Sequence, residues 1–364
     1  MNTRVQVGGT AAEKLIRTVE QGHRPDEVAA RAACADRHVL VIGGAGYVGN
    51  VLTRKLLTRG YRVRCLDVLF YRNGGTIAPL LDHPRFSFVH GDLRDPVVLR
   101  QSLHGVTDVV LLAALVGDPI SKKYPDIARD VNLKGAQTVF GVASESHIDK
   151  FVFTSTCSNY GIVDGGQPAT ETAALNPKSI YAETKVAFED HILEQGNGSL
   201  CPTILRIATA FGLSPRMRFD LTISEFTRQL ALGRDLVVYD EKTWRPYCHV
   251  ADISEAITTV LEAPRQLVNM QVFNVGADTH NYTKEMIVDE IVHIIPQSRV
   301  RYREGGADPR NYRVSFEKIR NVLGFTPGHS VAESVGKLRN AIDWGLFSDV
   351  DERQAFYGNQ VILA

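Results

Sequence analysis

Neither sign of charge prevails in this chain. Lys and Arg number 41, Asp and Glu number 41, and the formal net charge at pH 7 is +0. With no basic run of note, a nucleic-acid partner is not expected. No apolar stretch approaches the ~20 residues that span a bilayer, so no membrane partner is expected. Residues 1–21 mix Arg4, Glu13, Lys14 and Arg17 among small side chains and form no apolar signal core. Cysteine is scarce: Cys34, Cys65, Cys157, Cys201 and Cys248 stand far apart, with no Cys-x-x-Cys pair. Such a set reads as reduced thiols. These absences point to a cytoplasmic protein without a metal site. Repeats and low-complexity segments are missing too. What remains is globular composition, 44% apolar and 23% charged over 364 residues. That is enough for one large α/β unit or two smaller ones.

The most informative stretch is His38-Val-Leu-Val-Ile-Gly-Gly-Ala-Gly-Tyr-Val-Gly49. Val39–Ile42 suits a buried parallel strand. It breaks into Gly43-x-x-Gly46-x-x-Gly49, where a tight turn must lead into a helix whose backbone approaches a ligand. Glycine allows positive φ and close approach. The helix N-terminus offers free N–H groups and partial positive charge to a pyrophosphate. A glycine triplet alone is weak evidence. Here Asp67 follows the apolar segment Tyr61–Leu66, where a carboxylate can accept hydrogen bonds from an adenosine ribose. The same acid repels a 2′-phosphate, so the expected cofactor is NAD rather than NADP.

Residues 1–36 precede the first core strand. Ala11–Glu20 and Asp26–Ala33 have helical composition, divided by Gly22 and Pro25. From Arg37 onward strands and helices alternate. Strands are expected at Val39–Ile42, Arg62–Leu66, Phe86–His90, Val109–Ala113, Phe151–Thr154 and Thr203–Ile207. Helices are expected at Tyr47–Thr58, Ile127–Ser144 and Tyr181–Glu194. Alternation of this kind implies a parallel sheet with helices on both faces and ligands at the carboxyl ends of its strands. After Ala210 the pattern changes. Phe211–Phe219 is loop-like, and helices follow at Leu221–Leu232, Val250–Glu262, Lys284–Ile294 and Val331–Trp344. Short strands are expected at Val237–Tyr239 and Val272–Val275.

Tyr181-Ala-Glu-Thr-Lys185 places a phenol and an ammonium on one helix face. A neighbouring lysine lowers a phenol pKa and can hold a nicotinamide ribose. A tyrosine so tuned can take or give the proton of an alcohol while hydride moves to or from NAD. Phe153-Thr-Ser-Thr156-Cys-Ser-Asn-Tyr160-Gly161 ends the fifth strand, where Thr156 can hydrogen-bond a substrate oxygen as a partner to Tyr181. For Ser155, strand-ending turn chemistry is the better explanation.

The set Gly43-x-x-Gly46-x-x-Gly49, Asp67, Gly91-Asp92-Leu93, Leu112-Ala113-Ala114, Asn132 in Val-Asn-Leu-Lys-Gly, Thr156 with Tyr160-Gly161, and Tyr181-x-x-x-Lys185 resembles the extended short-chain dehydrogenase/reductases. More narrowly, it resembles the NAD-dependent nucleotide-sugar epimerase/dehydratase group. The resemblance runs from about Arg37 to about Phe325. It implies a Rossmann-type doubly wound parallel sheet with a smaller C-terminal substrate-binding lobe and tightly held NAD. Thr156, Tyr181 and Lys185 would be the catalytic set. Gly43, Gly46, Tyr47, Val48, Gly49, Asp67 and Asn132 join the cofactor site. Asp92 and Leu93 would contact adenine, and Ala113 and Ala114 would line the cofactor. The expected division is an extension over 1–36 and an NAD-binding domain over 37–208 with returns near 236–275. The substrate-binding lobe would take 209–235 and 276–350, in a homodimer.

Trp244-Arg245-Pro246-Tyr247-Cys248-His249 and Asp308-Pro-Arg310-Asn-Tyr312 resemble segments whose arginines meet the diphosphate of a nucleotide sugar. That role suits a guanidinium. Arg245 and Arg310 are therefore substrate-binding candidates, with Thr156. Arg216 and Arg218 read equally well as solvated loop charges. His249 reads as a structural hydrogen-bonding residue and Cys248 as core. Hexose 4,6-dehydratases carry an acidic pair where this chain has Cys157 and Ser158, which disfavours dehydration. Cys157 could serve as a thiol acid/base or simply pack. The expected activity is nucleotide-sugar epimerisation, in which a sugar hydroxyl is oxidised to a ketone and re-reduced. The alternatives are a keto-sugar nucleotide reductase, a dehydratase, and a non-catalytic NAD-sensing protein.

Overall fold

A computed structural model of the chain describes residues 34, 36–360 and 362, except 164–165, 196–197 and 307. The helical stretches expected at 11–20 and 26–33 lie outside the described residues.

The alternating apolar runs assemble into one seven-stranded sheet. Its strands are β1 (His38–Ile42), β2 (Arg62–Asp67), β3 (Phe86–His90), β4 (Asp108–Leu111), β5 (Lys150–Thr156), β6 (Cys201–Ile207) and, late in the chain, β10 (Gln271–Val275). The order is β10-β6-β5-β4-β1-β2-β3, and every pairing is parallel. The winding reverses between β1 and β4, which opens a crevice at their carboxyl ends. Period-two alternation feeds two apolar layers. Val39 and Val41 join Leu52 and Leu56 of the helix Tyr47–Thr58 and Ile253 and Ile257 of the helix Val250–Glu262. Leu40 and Ile42 join Phe140 of the helix Ala136–Ser144 and Phe188 and Ile192 of the helix Ile180–Gln195.

Two smaller sheets follow. β7 (Thr209–Phe211), β9 (Trp244–His249) and β11 (Asn281–Thr283) pair in the order β11-β9-β7, and β8 (Asp235–Tyr239) pairs with β12 (Arg299–Arg303). Ile223 and Phe226 pack there against Ile287, Ile291, Val331 and Val335, from the helices Thr222–Ala231, Lys284–Ile294 and Val331–Asp343. Of the stretch 236–275, then, the segment at β8 does not join the central sheet, whereas the helix Val250–Glu262 packs on that sheet and β10 pairs within it.

One expected helix is divided. The stretch 127–144 becomes a short helix Pro125–Arg129, a wide π-type turn Asp130–Gly135 and the helix Ala136–Ser144. The wide turn coincides with Asn132, whose side chain is committed to another segment, as described below. Such bulges often sit at functional positions. Among the described residues no helix is long and apolar enough to cross a membrane.

Candidate active site

β1 ends at Ile42 and the chain turns at Gly43 with φ +90°, a region glycine occupies freely. A Cβ on Gly43 would sit 2.7 Å from the Ala113 nitrogen, and one on Gly49 would overlap the Gly43 oxygen. The helix Tyr47–Thr58 begins at Gly46 with no side-chain cap, so its first amides are available to a ligand. Gly43, Gly46, Tyr47, Val48 and Gly49 all line one cavity of about 1070 Å³. Asp67 lies on the same wall. Its carboxylate accepts from Ala45 N at 3.0 Å and Leu69 N at 2.8 Å, and each oxygen keeps a lone pair for a ribose hydroxyl. Burial pushes its pKa up, against the pull of those amides, Arg216 and His90. Asp92, Leu93, Ala113 and Ala114 line the cavity as well. A crowded glycine turn, an uncapped helix start and a poised carboxylate fit the pyrophosphate and ribose of NAD.

Asn132 departs from its expected place on the cavity wall. Its amide holds the Leu115 backbone instead, accepting from Leu115 N at 2.7 Å and donating to Leu115 O at 3.2 Å. It positions a lining residue.

Thr156, Tyr181 and Lys185 converge on this cavity. Thr156 ends β5, and its hydroxyl accepts from Ser158 N at 3.1 Å and lies near enough to the Tyr181 phenol to act on it. Burial pushes the Tyr181 pKa up and Asp118 pushes it further, while Arg218, Thr156 and Arg310 pull it down. Lys185 is not among the largest of these influences. Burial drives the pKa of Lys185 itself down to about 7, with Glu189 opposing. Its Nζ donates to Thr154 O at 2.8 Å and lies 5.9 Å from the Tyr181 ring centroid.

Behind the site, Arg206 and Glu189 form a buried pair, Nη2 to Oε2 at 2.7 Å. Glu189 also accepts from Asn159 Nδ2 at 2.8 Å and from the Ser155 hydroxyl, so Ser155 is tied to the core. Cys157 is fully buried; its thiol donates to Arg206 O at 3.2 Å and packs in the layer of Val39 and Val41. Burial pushes the thiol up, and the residue packs in the core, outside the cavity lining. Cys248 is in that layer too. His249 caps the helix Val250–Glu262 by accepting from Ala251 N at 3.1 Å, and its ring stacks on His329 at 4.3 Å. His249, Asp252 and His329 bring potential ligand atoms within 4.8 Å of one another. Asp252 takes Gly328 N, His329 N and His329 Nδ1.

Arg245 and Arg310 both reach the cavity, held by acids that sequence reasoning did not single out. Arg245 Nη2 lies 2.9 Å from Asp308 Oδ2, in charge contact but outside hydrogen-bond alignment. Arg310 meets Asp308 at 2.7 Å and Asp118 at 3.0 Å, and donates to Ser158 Oγ at 3.0 Å. Burial pushes Asp308 up, but the two arginines outweigh it and hold its carboxyl well below the usual range. Arg216 and Arg218 are buried on the cavity wall, against the reading as solvated charges. The alternation of charges with Met217 and Phe219, both buried, was the available signal. Asn359, near the chain's end, lines the cavity as well, and no sequence signal marked it.

The chain resembles known proteins over most of its length. It is 29% identical to a UDP-glucose 4-epimerase of Rhizobium leguminosarum bv. trifolii over 339 residues, 85% of this chain and 98% of that protein. A dTDP-glucose 4,6-dehydratase of Streptomyces venezuelae, crystallised with NAD, superposes with a TM-score of 0.76 at 27% identity, over 84% of this chain and 97% of that one. A UDP-glucose 4-epimerase of Thermus thermophilus in complex with NAD gives a TM-score of 0.72 at 25% identity, over 84% and 99%. The profile of the NAD-dependent epimerase/dehydratase family matches residues 39–276. With the glycine turn, Asp67 and the Thr156–Tyr181–Lys185 group on one cavity, the chain belongs to that family of NAD-dependent enzymes.

Proposed function

We propose that this protein is a nucleotide-sugar epimerase that works through transient oxidation of a sugar hydroxyl. The observation that carries the reading is the convergence of Thr156, Tyr181 and Lys185 on the cavity that the glycine turn also lines. Bound NAD supplies the acceptor and donor of hydride. The protein's part is proton transfer and orientation. The Tyr181 phenolate takes the hydroxyl proton and later returns it. Thr156 hydrogen-bonds the same oxygen and aligns it. Lys185, held by Thr154 O on the cavity wall, is placed to meet a cofactor ribose. Arg245 and Arg310 exchange part of their hold on Asp308 and Asp118 for the substrate's diphosphate.

Epimerisation is favoured over 4,6-dehydration because water loss needs an acid and a base at the sugar. Cys157 faces the core, and Ser158 is occupied by Arg310. We read 37–208 with β10 as the cofactor-holding part, and 209–235 with 276–350 as the part that covers the sugar nucleotide. Five cysteines with no disulfide fit work in the cytoplasm. The test is incubation with a panel of UDP- and dTDP-hexoses, read by NMR and mass. An isomer of unchanged mass supports the reading; a product lighter by one water contradicts it.

A further inference from the structure

Arg216 is the buried charge on the cavity wall that the reading above leaves unused. It is 2% exposed. The other cavity arginines have acids: Arg218 pairs with Asp220, and Arg245 and Arg310 with Asp308. Among the described residues no carboxylate makes an ion pair with Arg216. Its Nη2 donates to Gly358 O at 3.3 Å, and its guanidinium carbon lies 4.4 Å over the Tyr71 ring. Its Nε is shut away from solvent and has no hydrogen-bond partner. A buried cation without an anion is costly, so the site asks for a negative ligand.

The surroundings say where that ligand lies. The loop carrying Arg216 is fastened to the start of the glycine-turn helix. Tyr47 OH donates to Gly212 O at 2.5 Å, and Ser214 Oγ donates to Tyr47 O at 2.7 Å. Asp220 and, less strongly, Asp67 act on the Arg216 charge from a distance, and Asp67, Tyr71 and Arg216 line the cavity together. The C-terminal segment closes over the same place. Phe219 N donates to Tyr357 O at 2.7 Å, Asn359 N to Asp220 Oδ2 at 2.9 Å and Asn359 Nδ2 to Val116 O at 3.2 Å. Asn359 Oδ1 is buried without a partner, a second unmet polar atom at this end of the cavity.

We propose that Arg216 is a phosphate-binding residue: the cavity-lining side of its guanidinium donates to a pyrophosphate oxygen of the bound dinucleotide, and the C-terminal segment 357–360 holds the group in place through Gly358 O. The inference rests on the reading that the Gly43–Asp67 end of the cavity takes the dinucleotide. A sugar nucleotide also carries a diphosphate, but the ties of the Arg216 loop to Tyr47 and the stacking of Arg216 on Tyr71, which lines the cavity with Asp67, favour the cofactor.

The test titrates ADP-ribose, adenosine and UDP into the full chain after bound dinucleotide is dialysed away, for wild type, Arg216→Gln and Arg216→Lys. Adenosine lacks the pyrophosphate, so the ratio of the ADP-ribose and adenosine affinities separates a lost phosphate contact from general loosening. The ratio is expected to fall about tenfold or more in Arg216→Gln, and by less in Arg216→Lys, which keeps the charge but loses the planar fork of donors. UDP affinity should stay within about twofold. Should Arg216→Gln fail to fold, the ratio in Arg216→Lys decides. An unchanged ratio in a folded variant overturns the assignment, and a loss confined to UDP overturns its placement on the cofactor. A wild-type chain that binds no ADP-ribose would instead bring down the dinucleotide reading itself.

Discussion

Tyr181 is buried, close to Thr156 and set among opposing charges. Replacing it with Phe removes the proton path and one hydroxyl but little volume. Turnover should fall ~10²–10⁴-fold, with NAD still bound and the fold kept; near-normal turnover would refute the role. The arginines call for a smaller expectation. Because Asp308 and Asp118 already hold Arg245 and Arg310, a diphosphate must compete with those acids. Arg245→Ala and Arg310→Ala should each weaken UDP binding by about 1.5 kcal/mol, the low end for charged hydrogen bonds; unchanged UDP affinity in both would remove the claim. At this scale the sequence showed the reacting side chains and hid their neighbours. Tyr181 and Lys185 stand four apart on one helix, whereas Asp118 and Arg310 meet only through the fold. The same blindness explains Asn132: a motif position shows that a residue matters, not which way its amide turns.

Elements were legible where one physical rule acts alone. Phe86–His90, Val250–Glu262 and Lys284–Ile294 have the bounds expected from their apolar pattern. The helix Pro96–Leu103 was missed although Asp95 caps it, accepting from Val97 N at 2.8 Å, with Pro96 at its first position. The break of the stretch 127–144 at Asp130–Gly135 was not legible, because Asn132 bonds to a segment distant in sequence. One coupling between elements makes a sharp prediction. Lys150 opens β5 fully buried, and its Nζ donates to Val260 O at 3.0 Å, Leu261 O at 2.7 Å and Ala263 O. It thereby caps the C-terminus of the helix Val250–Glu262. Lys150→Met should keep the packing yet strand those carbonyls, costing about 1–3 kcal/mol in denaturant unfolding; unchanged stability would show that the cap contributes nothing.

Across the whole molecule, acid should loosen the junction between the central sheet and the smaller ones. Burial and then His329 lower the His249 pKa to about 4, with Lys337 adding and Asp252 and Glu333 opposing. The unfolded chain binds this proton near its ordinary value of ~6.5, before the native state does. Stability from this group is therefore present above pH ~6.5 and lost as pH falls toward 4. The full loss would be up to about 3 kcal/mol, less for partial exposure. His249→Asn keeps a capping acceptor and should flatten the slope between pH 6.5 and 4.5 in denaturant titrations; an unchanged slope would assign the acid sensitivity elsewhere.

The family, the sheet order and the shared cavity leave one question above the others: whether the oxidation is reversed within the same turnover. The most direct measurement incubates the purified protein with a nucleotide hexose and no added cofactor, following NADH absorbance and product NMR together. The account predicts a steady mixture of two hexose epimers of equal mass, formed over many turnovers with no net change in NADH. Keto sugar that stops at one equivalent of bound cofactor, with NADH accumulating, would contradict it and make the protein a net oxidoreductase.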